Sequence, residues 1–230
     1  MNVEIEVAYR EFDKYAEKYD LWYEKNKVIF ECESKVVKAL DLHGKGLSIG
    51  VGTGILDFYA PIDVGVDPSV NMLKHAKARG IKLVRAVGEF LPFRDESFDF
   101  VIMIATLCFL VSPKETIQEA WRIMHSRGEL AICIIPRESS WGKEYVKKGE
   151  AGHALYKYAR FYTLNEVKDM LNETSFTIVS IKSTLGYSPR DEPRVENPSD
   201  NPEGKGFICI KAIKNNKIHS QDEIHKVLAK

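Results

Sequence analysis

"LSIGVGTG", residues 47–54, closes a short apolar run and then sets glycine at positions 50, 52 and 54. A strand, then alternating glycines, then a helix is how an α/β sheet lets a ligand touch main chain. Each missing side chain permits close approach or a positive φ. The dinucleotide-binding loop is the best-known user, but its third glycine falls three residues after the second. Ile55 stands at that position here, so the loop alone says little about a nicotinamide cofactor. The next landmark is Asp67, which closes the apolar run "IDVGVD". A carboxylate there accepts both ribose hydroxyls of an adenosine. It also serves as a cap for a helix starting at Pro68, and the two roles coexist. Loop and acid together indicate a nucleoside-bearing cofactor.

Working outward, short apolar runs alternate with helical stretches from residue 46. "GLSIG", "IDVGVD", "IKLVRAV", "FDFVIMIAT" and "GELAICIIP" read as five strands. The fourth is continuously apolar, as expected of a parallel strand covered on both faces. Between them lie a short helix "ILDFYA", a helix "PSVNMLKHAKARG" and a helix over 113–126. "TLNE" gives a capping box, Thr163 with Glu166, for a helix running to about Asn172. "FTIVSIKSTL" and "GFICIKAI" read as two closing strands. The fold class is therefore α/β: a doubly wound, seven-stranded, Rossmann-like sheet whose ligands bind beyond the carboxyl ends of its strands.

Three segments stand outside this rhythm. Residues 9–40 contain no glycine or proline and read as helical throughout, with rings at Phe12, Tyr15, Tyr19, Trp22 and Tyr23 on one face. Residues 1–45 thus form a helical lid, and residues 46–214 the main domain. Residues 137–162, polar and aromatic, are too long for a simple connection and read as a second lid or wall. The proline-rich stretch 186–205 reads as a mobile loop. Residues 215–230 form a tail, either a small polar helix or loose.

Lysine plus arginine equals aspartate plus glutamate at 33 each in 230 residues. A balanced chain offers no global field to nucleic acid or an anionic membrane. Its 44% hydrophobic content suits a soluble globular protein. The four cysteines are scattered; Cys108 and Cys133 lie in apolar runs, and the expectation is free thiols in the cytoplasm. No stretch approaches membrane-spanning length. No histidine pair has zinc-ligand spacing, so no metal site is expected.

"LSIGVGTG", "GVDPSVNML", "GEFLPFRDESFDFVIM" and "EAWRIMHSRGELAI" keep an order and spacing that resemble successive motifs of the class I S-adenosylmethionine-dependent methyltransferases. The closer similarity is to the type 11 branch, which includes quinone-biosynthesis enzymes. "FDKYAEKYDLWYE" is similar to the N-terminal helices of that branch. The resemblance implies S-adenosyl-L-methionine as cofactor. It implies that the loop from Ser48 through Gly50, Val51, Gly52, Thr53 and Gly54 passes under the methionine part. Asp67, beside Pro68, takes the ribose; Met72 lies along the adenine; Gly88 and Glu89 border its edge; Ala105 sits beneath the sulfonium. Met72 and Ala105 also fit ordinary core positions. The family usually has an acid where Ser48 stands and often one at Val87. Serine brings no charge there, and valine offers only its backbone.

A sulfonium methyl is already activated, so the main requirement is alignment for in-line displacement, with a dedicated base optional. The expectation is a small-molecule methyl acceptor. Tyr19 is expected to close over the cofactor, and Tyr15, Trp22 and Tyr23 to face the acceptor, although an amphipathic helix packed on the sheet explains the same spacing. Tyr158 and Arg160 are the substrate candidates in the second lid. His153 is the one histidine placed as a base, with a plain surface histidine as its alternative. Protein or RNA methylation and noncatalytic cofactor binding are the rival readings. Nucleic acid is disfavoured: "ATLCF" replaces the Asn/Asp-Pro-Pro-aromatic motif of adenine methylases, and no cysteine follows a proline.

Overall fold

The computed structural model describes residues 3–215. The central strands are the most apolar. Along β4 (Phe98–Ile104), Val101 and Met103 enter a core on one face, while Phe100, Ile102 and Ile104 enter a core on the other. A strand covered on both faces has no polar side to show, which explains the apolar run Phe100–Ile104; Asp99, near its start, is exposed and accepts from the Lys45 amide. It pairs in parallel with β1 (Gly46–Ile49) and β5 (Met124–Ile134). Beyond β1 lie β2 (Ile62–Val66) and β3 (Lys82–Val84), also parallel. β6 (Phe176–Thr184) and β7 (Phe207–Lys214) complete one seven-stranded sheet in the order β3-β2-β1-β4-β5-β7-β6. β7 is antiparallel to both of its neighbours, so the sheet is mixed at this end.

Helices α3 (Val70–Ala78), α4 (Pro113–Ile123) and α6 (Leu164–Glu173) have readable starts. Ser69 caps α3 by accepting from the Met72 amide at 3.1 Å, so the helix begins after Pro68 rather than on it. The Thr163–Glu166 capping box forms as expected. α4 stops at Ile123, three residues before the expected end, because Met124 is already extended and starts β5. "ILDFYA" makes only one 3-10 turn, Asp57–Tyr59.

The N-terminal segment is two helices, not one: α1 (Val3–Lys25) and α2 (Lys27–Lys38). The break falls at Asn26, whose side-chain amide donates to the Trp22 carbonyl at 2.7 Å. Asparagine competes for helix backbone in this way, which a search for glycine and proline does not detect. α1 is tied to α3 by polar contacts. Asp13 accepts from Ser69 and from the Asn71 amide, and Asp20 pairs with Arg79 at 2.7 Å.

Residues 137–162 contain α5 (Ser140–Glu150) and a 3-10 turn, Tyr156–Tyr158. The stretch expected to be mobile, 186–205, is fastened at several points. Trp141 Nε1 donates to the Tyr187 carbonyl at 2.6 Å, Ser183 bridges Ser199, and the Glu196 amide donates to Cys32 Sγ. The free-thiol expectation fails for two cysteines. The register of β5 and β7 sets Cys133 directly opposite Cys209, and the pair forms a disulfide. Reading the chain as a reduced, cytoplasmic protein therefore loses its thiol argument. Among the described residues no helix is long and apolar enough to cross a membrane. The tail, from residue 216 on, lies outside the described residues.

Candidate active site

Strand order reverses direction between β1 and β4, and a crevice opens where their carboxyl ends diverge. The glycine loop leaves β1 there. Gly50 has φ +70°, and a Cβ on it would lie 2.3 Å from the Thr106 side chain beyond β4. Gly52 has φ +54° with nothing within 4 Å of a Cβ: its missing side chain is open space. A Cβ on Gly54 would meet Ile81 at 2.4 Å, so that glycine answers to packing. Opposite the loop, Ala105 adopts φ +52° at the end of β4. A non-glycine residue in that region costs about 1–3 kcal/mol and marks a backbone the surroundings enforce.

Asp67 joins the loop to α3. Oδ2 accepts from the Gly52 amide at 2.9 Å and Oδ1 from the Ser69 amide at 2.8 Å. It is only 8% exposed, and burial pushes its carboxyl up to about 6 against the pull of those amides. Each oxygen keeps further acceptor capacity, and the residue lines the cavity described next.

A cavity of about 600 Å³ runs from this loop to the N-terminal helices and the second lid. Gly50, Gly52, Asp67, Pro68, Met72, Val87, Gly88, Glu89 and Ala105 line one end. Tyr15, Tyr19, Trp22, Tyr23 and His153 line the rest, together with Tyr145, Tyr156 and Phe161. Ser48, Val51, Thr53, Gly54, Tyr158 and Arg160 do not line it. Val51 packs on Gly65, and the Thr53 carbonyl accepts from Arg79 at 2.8 Å. Tyr158 is 37% exposed with Lys157 over its ring, and Arg160 lies over Tyr162. In the 3-10 turn Tyr156 and Tyr158 point to different sides, and Tyr156 is the one that reaches the cavity.

Other expected residues carry structural duties. Glu89 accepts from the amides of Val111 and Ser112, capping the turn before α4. His153 Nδ1 accepts from the Leu155 and Tyr156 amides, and its ring stacks on Tyr156 at 4.5 Å. Burial, then Lys148, lowers its pKa. The motif "GEFLPFRDESFDFVIM" is gripped by "EAWRIMHSRGELAI". Arg122 donates to the Phe93 and Leu91 carbonyls, and Glu119 accepts from the Leu91 amide. These two motifs hold one another, which accounts for their joint spacing.

Two buried acids escaped the sequence reading. Asp57 adjoins Ser48 behind the glycine loop, and burial raises its carboxyl to about 7. Neither Ser48 Oγ nor Asp57 Oδ1 has a hydrogen-bond partner among the described residues. An acid thus stands beside position 48 after all, nine residues later, in the turn "ILDFYA". The second is Glu33 on α2, which lines the aromatic end of the cavity. Among the described residues no cluster of three or more histidine, cysteine or acidic groups could hold a metal ion.

A nucleoside-sized cleft on this seven-stranded sheet defines the class I S-adenosylmethionine-dependent methyltransferases. The comparisons agree. Residues 47–132 match the methyltransferase domain of the type 11 family. An uncharacterized protein of Methanocaldococcus jannaschii is 41% identical over 88% of this chain and 98% of its own length. A crystal structure from Thermotoga maritima, described as a "SAM-dependent methyltransferase, possible histamine N-methyltransferase", is 33% identical. It covers 90% of this chain and all of that one, with a TM-score of 0.85. The demethylmenaquinone methyltransferase of Corynebacterium kroppenstedtii is 31% identical over 43% of this chain and 45% of its own. The chain belongs to the type 11 S-adenosylmethionine-dependent methyltransferases, and S-adenosyl-L-methionine is its cofactor.

Proposed function

We propose that the chain transfers the cofactor's methyl group to a small molecule enclosed between the helices of residues 1–45 and the wall of residues 137–162. The observation that carries this reading is the single cavity: it joins the glycine loop to a ring-lined chamber built from both segments. Its volume of about 600 Å³ lies within the range of small-ligand sites, roughly 300–1,000 Å³.

The residues present fit the cofactor. The open side of Gly52 admits the methionine chain against the backbone, with the buried carboxyl of Asp57 behind Ser48. Asp67 accepts the ribose hydroxyls on its free lone pairs. Met72 and Pro68 flank the adenine, Gly88 and Val87 border its edge, and Ala105 fixes the sulfur end. Ser48, Val51, Thr53 and Gly54 shape the loop from behind. When bound, the cofactor supplies an activated methyl for in-line displacement. Tyr19, Trp22 and Tyr23 exclude water and turn π-density toward positive charge.

The test offers radiolabelled cofactor to a panel of small amines, thiols and phenols, to peptides and to transfer RNA. Label in a small molecule is expected. Label appearing only in protein or RNA refutes the reading, and tight cofactor binding with no transfer at all points to a noncatalytic protein.

A further inference from the structure

The aromatic end of the cavity contains a buried carboxyl that the transfer reaction itself does not explain. Glu33 lies on α2, is 5% exposed and lines the cavity. Its Oε2 accepts from the Tyr23 hydroxyl at 3.0 Å. Tyr19 and Tyr23 face it from α1, Tyr145 from α5 and Tyr156 from the 3-10 turn. The rings form a continuous wall, with Tyr19 and Tyr23 centred 5.5 Å apart and Tyr145 and Tyr156 4.6 Å apart. Glu33 has no ion-pair partner among the described residues. The two lysines bordering the cavity, Lys18 and Lys148, are exposed and lie over Tyr15 and Tyr145.

We propose that Glu33 and the tyrosines around it form an amine-binding subsite, and that the methyl acceptor is a small primary or secondary amine bound as its ammonium ion. The proposal rests on the small-molecule reading above and names the acceptor class. A buried carboxylate without a cation is costly, and an ammonium ion ringed by aromatic faces relieves that cost in two ways, by charge pairing and by cation–π attraction. The same charge repels carboxylate, phenolate and thiolate acceptors. Burial is the main cause holding the Glu33 carboxyl at about 8, with the Tyr23 hydroxyl opposing. Burial also lowers the pKa of a bound ammonium, so the two groups approach each other and a proton moves between them readily.

The chemistry balances. The ammonium gives one proton to the Glu33 carboxylate and becomes a neutral amine. Its nitrogen lone pair forms the new C–N bond while the methyl–sulfur bond of the cofactor breaks, its electron pair remaining on sulfur. The product is the methylated ammonium ion, and Glu33 releases its proton to solvent as the next acceptor binds.

The experiment measures binding of 2-phenylethylamine and 2-phenylethanol to the full chain saturated with S-adenosylhomocysteine, by calorimetry at pH 7 in buffers of different ionisation heat. The titratable groups facing Glu33 are Tyr19, Tyr23, Tyr145 and Tyr156, with Cys108 beyond Tyr156. All four phenols are raised, and Asp57, beyond Tyr19, is raised to about 7, so the released proton is assigned to Glu33 by its loss in Glu33→Gln. The amine is expected to bind at least about tenfold tighter than the alcohol and to release about one proton as the carboxyl ionises. Glu33→Gln removes both the preference and the proton release, Glu33→Asp restores part of each, and cofactor affinity stays within about twofold throughout. Equal binding of amine and alcohol to the wild type, or no binding of either, overturns the proposal even if a variant fails to fold. Amine preference surviving in Glu33→Gln also overturns it. Labelled methyl appearing in thiols or phenols but not amines rejects this subsite alone, whereas label only in protein or RNA rejects the small-molecule reading beneath it.

Discussion

The two ends of the cavity are made of different material. The cofactor end is built on backbone at Gly50, Gly52, Gly88 and Ala105, with Asp67 bound to two amides and Pro68, Met72, Val87 and Glu89 beside it. The ring-lined end, proposed above to take the acceptor, is side chain almost throughout, with rings and one acid contributed by α1, α2, α5 and a 3-10 turn. Backbone at the mouth of a sheet is positioned by strand register and moves little. Side chains from four separate segments change with every substitution. One continuous cavity thus joins an end built on backbone to an end built on side chains.

If this division is right, changes at one end leave the other intact. The largest separation is expected for Tyr156→Ala. Loss of a ring from the acceptor wall should lower kcat/KM about 100-fold through misplacement of the acceptor, with cofactor affinity unchanged by calorimetry. A parallel loss of cofactor binding would dissolve the distinction. Asp67→Ala should do the reverse, weakening the cofactor by about 1–3 kcal/mol. The far-ultraviolet spectrum should stay native, since the Ser69 cap of α3 remains.

A pH series sharpens the same contrast. Asp67 stands at about 6 in the free protein, raised by burial. Ribose hydroxyls donating to its ionised form lower that value, so cofactor binding should release protons between about pH 4 and 6. Affinity should accordingly fall as the pH drops through 6. The sign for folding is opposite. Glu33, Asp57 and Asp67 are raised to about 8, 7 and 6, so the folded chain holds more protons than the unfolded one above about pH 4. Their stability contribution is present below that point and is lost as the pH rises to 8. The ligand-free melting temperature should therefore decline from pH 5 to 8, and a rise would contradict the burial of these acids.

The smallest effect is expected for His153→Ala. Its Nδ1 is engaged by two backbone amides at the cavity rim, so its removal should change kcat less than about threefold. A loss of two orders or more would restore it as a base.

The legibility of the molecule follows the same division. Strand and helix alternation, the Thr163 capping box and Asp67 were readable because each depends on residues close in the chain. Glu33 was not, since nothing in "VIFECESKVV" separates a cavity carboxylate from a solvated one until the break at Asn26 folds α2 back beneath the rings. Tyr156 and Tyr158 share one composition and differ only in the side of a turn they occupy. Asp57, the acid beside Ser48, was missed because it lies on a different element. Cys133 and Cys209 are 76 residues apart, and only the insertion of β7 between β5 and β6 makes them neighbours.

That disulfide has a consequence for how the cavity is walled. It closes a loop of 76 residues that contains the whole second lid, α6, β6 and the proline-rich stretch. Closing a chain of that length restricts the unfolded ensemble by about 4 kcal/mol, and the figure changes only logarithmically with length. The chain between the two sulfurs leaves and re-enters the sheet at adjacent strands, β5 and β7, held together at that point. The rings of α5 and the 3-10 turn therefore hang inside a closed loop, whereas those of α1, and Glu33 on α2, lie outside it.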